Sequence, residues 1–307
     1  MVRLVKPGSV PKTSSGKIRR NDTKTMFLSG ALGRDRSDSV AARLKLAALL
    51  VRGASETGLT RLALLARGLW LYGTLAGYAP ISWVALFFLN QRTARRFEHV
   101  SARIALRLLT PRATVTPSGP RFEPGKAALL VCNHASYLDV IALRALLNED
   151  FIFVAKREVR HYPFVGRFVD RCGHIGVERR DSQRSAIDAS QVTLALNRGE
   201  RVLVFPEGTF THADGVRPFR LGAFRAAAEA GCAVIPLALK GTRRMLRDGQ
   251  IIPRRGSVSL WVGDPLIPAG DSFRDLVALR DRAREIIGAE SGEVILELVS
   301  AGVDQAW

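Results

Sequence analysis

Six apolar runs of five to eight residues, each too short for a bilayer span, recur between residues 127 and 263: AALLVCN (127–133), FIFVAK (151–156), HIGVE (174–178), RVLVFP (201–206), AVIPLALK (233–240) and VSLWVG (258–263). Their length and their content of β-branched and aromatic residues predict strands. Between them DVIALRALL, SAIDASQVTLALNRG and RLGAFRAAAEAG carry helical spacing and close on Gly or Asn. Strands alternating with helices imply an α/β layered domain. No internal repeat or low-complexity tract competes with that reading.

A second feature stands upstream. Residues 68–91, GLWLYGTLAGYAPISWVALFFLNQ, contain no charged residue and are flanked by Arg67 and Arg92. About twenty apolar residues can cross a hydrocarbon core of about 30 Å. Pro80, Gly68, Gly73 and Gly77 interrupt the segment, and Trp70, Tyr72, Tyr78 and Trp83 are spread along it. A single span therefore competes with a broken, half-inserted helix pair and with a helix covering the soluble domain; membrane association of some kind is the expectation. The next stretch, QRTARRFEHVSARIALRLL, predicts a helix with an Arg-rich face opposite Ile104 and Leu108, suited to anionic lipid or simply to solvent.

Charge agrees with an anionic partner. Lys and Arg number 46 against 28 Asp and Glu, a net +18, which suits nucleic acid, an anionic membrane or phosphorylated substrates. No zinc-finger spacing, RNP-like motif or helix-turn-helix signal supports nucleic acid. Cys132, Cys172 and Cys232 are far apart among apolar residues, so they read as buried thiols in a reducing compartment rather than disulfides or metal ligands. The basic start runs into PGSVPKTSSG, with no apolar secretory core.

Ligands in open α/β sheets gather beyond the carboxyl ends of strands. After AALLVC comes NHASYLD, with His134 five positions before Asp139. On one helix that spacing turns about 140°, so the two side chains meet only across a strand-to-helix bend. There Asp139 can fix the imidazole tautomer and leave the other nitrogen basic. A capping box between Ser136 and Asp139 explains the same residues, and the two readings are compatible. After RVLV comes FPEGT, where Gly208 permits close approach and Glu207 can grip a substrate hydroxyl or a backbone amide; a plain turn is the alternative. Lys156 ends FIFVAK and Arg179 stands just beyond HIGVE, each a cation suited to a phosphate or to solvent.

Together, NHASYLD (133–139), GHIGVER (173–179), FPEGT (205–209) and VIP (234–236) resemble the four blocks of the glycerolipid acyltransferase family, of the lysophosphatidic-acid acyltransferase type, over about residues 111–270. That resemblance implies a mixed sheet flanked by helices, with His134 as general base and Asp139 orienting it. It also implies acceptor binding by Arg179, Glu207, Gly208, Thr209 and Lys156, and an acyl-facing or core-facing wall of Val234, Ile235 and Pro236. It calls for no metal and no cofactor, only acyl-CoA or acyl-carrier protein as co-substrate.

The run RLVKPGSVPKTSSGKIRRNDTKTMFLSG, at the start, resembles the carboxyl-terminal end of adenylate-forming acyl ligases, with Lys17 at the family's catalytic lysine. The ATP-binding domain has no counterpart in the sequence, so Lys17 is assigned no activity, and a linked ligase becomes a candidate partner. The expected organisation is a ligase-like tail at 1–30, linker and membrane-associated helices at 31–110, and an acyltransferase domain at 111–307. The expected function is acyl transfer to a lysophospholipid, 1-acyl-glycerol-3-phosphate giving phosphatidic acid, at the cytoplasmic face of a membrane. The alternatives are a different lyso-lipid acceptor, or a non-catalytic membrane-anchoring module of an acyl-activating assembly.

Overall fold

The computed structural model describes residues 10–12, 18–30, 40–110, 112–117, 123, 125–162, 164–177, 182–210 and 214–296, with backbone only for 40–61, 64 and 182–189. Contacts divide the chain into residues 1–66 and 67–307. In the first part, Lys12 and Ile18 pair antiparallel, Arg19 N donates to Pro11 O at 2.9 Å, and helix α1 spans Arg20–Leu28. Lys17 lies outside the described residues.

Helix α2, Val40–Phe88, begins in the first part, and its residues from Arg67 on belong to the second. It runs unbroken through Pro80, so the pair of short helices suggested by Pro and Gly is not formed. A proline in mid-helix costs one backbone hydrogen bond, and the long apolar run on either side outweighs that loss. The stretch Leu65–Phe88 is long and apolar enough to cross a membrane. One flank of it is buried: Leu86 joins Ala94 and Cys172 in a small apolar cluster. Tyr72 donates to Ile251 O at 2.6 Å. Most of the apolar surface of the stretch is open, with Leu69, Ile81 and Phe88 being 79, 70 and 85% exposed.

Helix α3, Gln91–Leu109, is capped by Asn90, whose side chain accepts from Thr93 N. Its buried residues are Ala94, Arg95, Ala102, Leu106 and Leu109, whereas Ile104 and Leu108 are exposed. The apolar face expected to meet lipid is thus not the face that packs on the sheet; Leu and Ala recur at helical spacing on both. Arg95 is buried because its guanidinium reaches Asp150 at 3.0 Å and Glu200 at 2.9 Å and donates to Cys172 O at 2.8 Å.

The remaining elements form one mixed sheet. Its strands are β1 (Ala113–Pro117), β2 (Ala128–Cys132), β3 (Ile152–Lys156), β4 (Ile175–Val177), β5 (Arg201–Val204), β6 (Ala233–Lys240) and β7 (Val258–Val262), in the order β1-β7-β6-β2-β5-β3-β4. Every pairing is parallel except β6 with β7. All six apolar runs form strands. The pleat sends successive residues to opposite faces: Leu130 and Cys132 of β2 join the core beneath α3 and α4 (Leu138–Leu146). Leu129 and Val131 join the core beneath α6 (Ser182–Asn197), α7 (Gly222–Glu229) and α9 (Phe273–Ser291). Covering both faces is why the central strands read as continuous apolar runs. Strand β1, ATVTP, lies at the sheet edge, where a polar alternating strand ending in Pro is tolerated; no apolar run announces it. A 3-10 turn (Arg157–His161) and α5 (Val165–Arg171) follow β3, and the short α8 (Thr242–Met245) follows β6.

Candidate active site

The sheet order sets the site. β2 lies between β6 and β5, parallel to both, with Val131 opposite Val204 and Cys132 opposite Leu237. The loops leaving β2 and β5 therefore emerge side by side, and these are NHASYLD and FPEGTF.

Asn133 ends β2 by imitating one more ladder step: its side chain donates to Leu239 O at 3.0 Å and accepts from Leu239 N at 2.8 Å. His134 sits in the loop and Asp139 in the first turn of α4. The bend expected from their spacing brings Nδ1 to 2.8 Å from Asp139 Oδ2. The same oxygen accepts from Ala135 N at 2.6 Å and Ser136 N at 2.8 Å. Asp139 thus ties down the loop before the helix and holds the imidazole at once. Ser136 is fully committed, its hydroxyl donating to Leu246 O at 2.7 Å and accepting from Leu138 N at 3.1 Å.

Asp139, 1% exposed, offers only acceptors when ionised, so the proton between the two residues belongs to Nδ1 and Nε2 keeps its lone pair. No described residue hydrogen-bonds Nε2. The ring lies flat against Phe205, centroids 4.1 Å apart, and Phe210 meets it edge-on at 4.5 Å. Tyr137 in turn meets Phe210 edge-on at 4.7 Å. One side of the imidazole is thereby walled by aromatic rings, which keep water from its face.

Glu207 is placed differently from a substrate grip. Of the two uses open to it, hydroxyl or amide, the structure brings it to amides: Oε1 accepts from His134 N at 2.7 Å and Oε2 from Arg217 N at 2.8 Å. Its carboxyl is pushed up to about 7, chiefly by burial; the two amides and Arg243 oppose the rise, while Glu293 adds to it. Gly208, at φ +79°, turns the chain back so that its amide reaches Phe205 O at 3.0 Å. A Cβ there would also stand 2.9 Å from Arg220 Nε. Thr209 is exposed at the rim, and its hydroxyl donates to Phe210 O at 3.3 Å. Lys156 pairs with Glu158 at 2.8 Å. Arg179 lies outside the described residues.

Val234, Ile235 and Pro236 are buried in β6, Val234 in one core and Ile235 in the other. They build the sheet beside β2. Cys132 also lies beside the site, yet burial, reinforced by Asp139 and Glu207, holds its thiol well above the usual range. It is no thiolate nucleophile.

Glu98, Cys172 and His174 could in principle hold a cation, but Arg144 already places its guanidinium 2.7 Å from Glu98 Oε2. His174 Nδ1 accepts from Phe153 N, so Nε2 carries the proton donated to Glu98 at 2.9 Å. This is a buried ionic joint between α3, α4 and the sheet. His174 belongs to the GHIGVER block by sequence but to this joint by structure.

Residues 113–240 match the acyltransferase family model. The chain is 33% identical over 172 residues to a lyso-ornithine lipid O-acyltransferase of Pseudomonas aeruginosa, covering 49% of this chain and 66% of that protein. It is 30% identical over 177 residues to a chloroplastic 1-acyl-sn-glycerol-3-phosphate acyltransferase of Arabidopsis thaliana, covering 56% and 49%. The chain belongs to the glycerolipid acyltransferase family. The acyltransferase fold extends beyond the matched segment: a 1-acyl-sn-glycerophosphate acyltransferase from Thermotoga maritima superposes with a TM-score of 0.63 at 20% identity, over 80% of this chain and 99% of that one. The mixed sheet flanked by helices is thus the acyltransferase fold. The chain spans about half to two thirds of the length of the curated acyltransferases it matches.

Sequence reading missed four contributors to the site: Phe205 and Phe210 as its aromatic walls, Arg217 as the amide opposite Glu207, and Asn133 as the strand mimic. The first two stand inside FPEGTF and signal themselves only as apolar neighbours of a turn. Arg217 acts through its backbone amide, and the side chain of Asn133 meets a backbone partner 106 residues away, so residue type announces neither.

Proposed function

We propose that the protein is a membrane-associated O-acyltransferase. It moves a fatty acyl group from a thioester, acyl-CoA or acyl-carrier protein, to the hydroxyl of a lysophospholipid, with 1-acyl-glycerol-3-phosphate as acceptor and phosphatidic acid as product. The observation that carries this reading is the 2.8 Å contact between His134 Nδ1 and Asp139, which leaves Nε2 as the basic nitrogen. Nε2 takes the acceptor's proton as its oxygen attacks the thioester carbonyl, Asp139 offsets the charge on the imidazolium, and the proton then passes to the departing thiolate. Transfer is direct, because Cys132 and Ser136 are buried and engaged elsewhere.

The open apolar surface of α2 and the net charge of +18 support seating on an anionic bilayer at its cytoplasmic face, where the acceptor resides. The ligase-like stretch at residues 1–30 supports a donor made by an associated acyl-activating ligase. Lys156 and Arg179 are assigned to the acceptor phosphate.

A second acceptor is favoured by one observation. Phe210 and Tyr137 give the His134 side of the site aromatic faces, which suit an ammonium group, and a relative is named for lyso-ornithine lipid. Incubating the vesicle-bound protein with an acyl thioester and a panel of lyso-lipids, with products read by mass spectrometry, decides. Phosphatidic acid is the expected product, an acylated aminolipid indicates the second acceptor, and no product with any donor or acceptor indicates a non-catalytic module.

A further inference from the structure

We infer that Glu207 is a positioning residue, a buried strut that fixes the backbone of the His134 loop against the 214–217 segment rather than a group that grips the acceptor. The inference rests on the acyl-transfer reading above, in which His134 is the base.

Three successive amides open the loop, and all three end on carboxylate oxygens. Those of Ala135 and Ser136 go to Asp139, while that of His134 goes to Glu207 Oε1. β2 ends at Cys132, so without Glu207 the His134 amide loses its partner in a buried setting. Asp139 moves with the loop it ties down. Glu207 comes from the loop that follows β5, and it sets where the His134 loop as a whole stands relative to the sheet.

A strut needs a fixed far end. Glu207 Oε2 accepts from Arg217 N, and the adjoining backbone is tied to the region after α9. Val216 N donates to Val294 O at 2.9 Å and Leu296 N to Val216 O at 2.9 Å. Arg284 donates to Arg217 O at 3.1 Å and to Val216 O at 3.2 Å. Arg243 holds Glu293 through two contacts of 2.9 Å and reaches Gly215 O at 3.4 Å. Glu207 is only 4% exposed, and each of its oxygens receives a backbone amide, so its geometry serves the loop. The raised affinity of its carboxyl for a proton is the cost of that burial.

The test is Glu207→Gln in the full chain, with kcat and KM for the acceptor measured on vesicles. An amide keeps one acceptor oxygen but turns a donor toward the other backbone N–H, so the loop loses one tie. The expected result is a fall in kcat of about tenfold or more with KM for the acceptor within about twofold. A raised KM with kcat within about twofold, as a substrate grip requires, overturns the inference, and so does a variant with both constants unchanged. If the variant does not fold, amide hydrogen exchange in the wild-type protein decides. The His134 and Arg217 amides are expected to be protected about a hundredfold or more without any substrate, and exchange at the rate of an open loop overturns the strut. If the wild type transfers no acyl group to any acceptor, the exchange measurement still stands, and what fails is the catalytic reading.

Discussion

Asp139 holds His134 Nδ1 at 2.8 Å with the same oxygen, Oδ2, that accepts the amides of Ala135 and Ser136. One carboxylate therefore shapes the loop and sets the imidazole tautomer. Exchange for Asn tests the charge apart from the shape: an amide oxygen in the place of Oδ2 can keep all three hydrogen bonds, but the negative charge that stabilises the imidazolium is gone. Asp139→Asn is expected to lower kcat by about a hundredfold to ten-thousandfold while the protein stays folded, as steady-state kinetics with circular dichroism will show.

Gly208 carries two constraints at one position, φ +79° and Arg220 Nε 2.9 Å from where a Cβ would stand. Gly208→Ala is expected to destabilise the protein by about 1–3 kcal/mol and to reduce activity, because the turn aims Glu207 inward. Urea denaturation gives the stability change. An unchanged midpoint contradicts the role given to this turn.

The exposed apolar surface of α2 is expected to bind lipid. Leu69→Glu, Ile81→Glu and Phe88→Glu each remove an apolar side chain whose burial is worth about 1.5–3 kcal/mol. Each is expected to weaken binding to anionic vesicles by at least about tenfold in a flotation assay. Since all three positions are solvent-exposed in the fold, the melting temperature is expected to move little.

Two glutamates shielded from solvent give opposite pH dependences. Glu207 has its carboxyl raised from 4.5 to about 7, mainly by burial. The folded state thus binds the extra proton between about pH 4.5 and 7, and this contribution to stability is lost as pH rises through that window. Glu98 lies below its ordinary 4.5: burial alone would raise it, but the hydrogen bond from His174 and the Arg144 guanidinium overcome that. Its contribution is present above pH 4.5 and is lost on acidification. Thermal melts across pH are expected to lose the decline between pH 4.5 and 7 in Glu207→Gln, and to lose part of the acid limb below pH 4.5 in Glu98→Gln.

Much of the fold was legible because burial on both faces leaves continuous apolar runs, as in β2 and β6. Strand β1 was not, since ATVTP at an edge needs little apolar content, and α9 was passed over although Ser272 caps it and Gly292 closes it. Helix α3 was legible as a helix but not in its orientation. Its buried Arg95 depends on Glu200, 105 residues away, and no local pattern reveals such a partner. In the site, the His134 and Asp139 meeting followed from spacing and a bend. The use of Glu207 did not follow, because a carboxylate that receives backbone amides looks, in sequence, like one that receives a substrate.

The central claim is that Nε2 of His134 takes the acceptor's proton, and thiol release from an acyl thioester in the presence of lysophospholipid vesicles tests it most directly. His134→Ala, folded and vesicle-bound like the wild type, is expected to lose about a hundredfold to ten-thousandfold in acceptor-dependent thiol release. Release within about threefold of the wild-type rate would contradict the account.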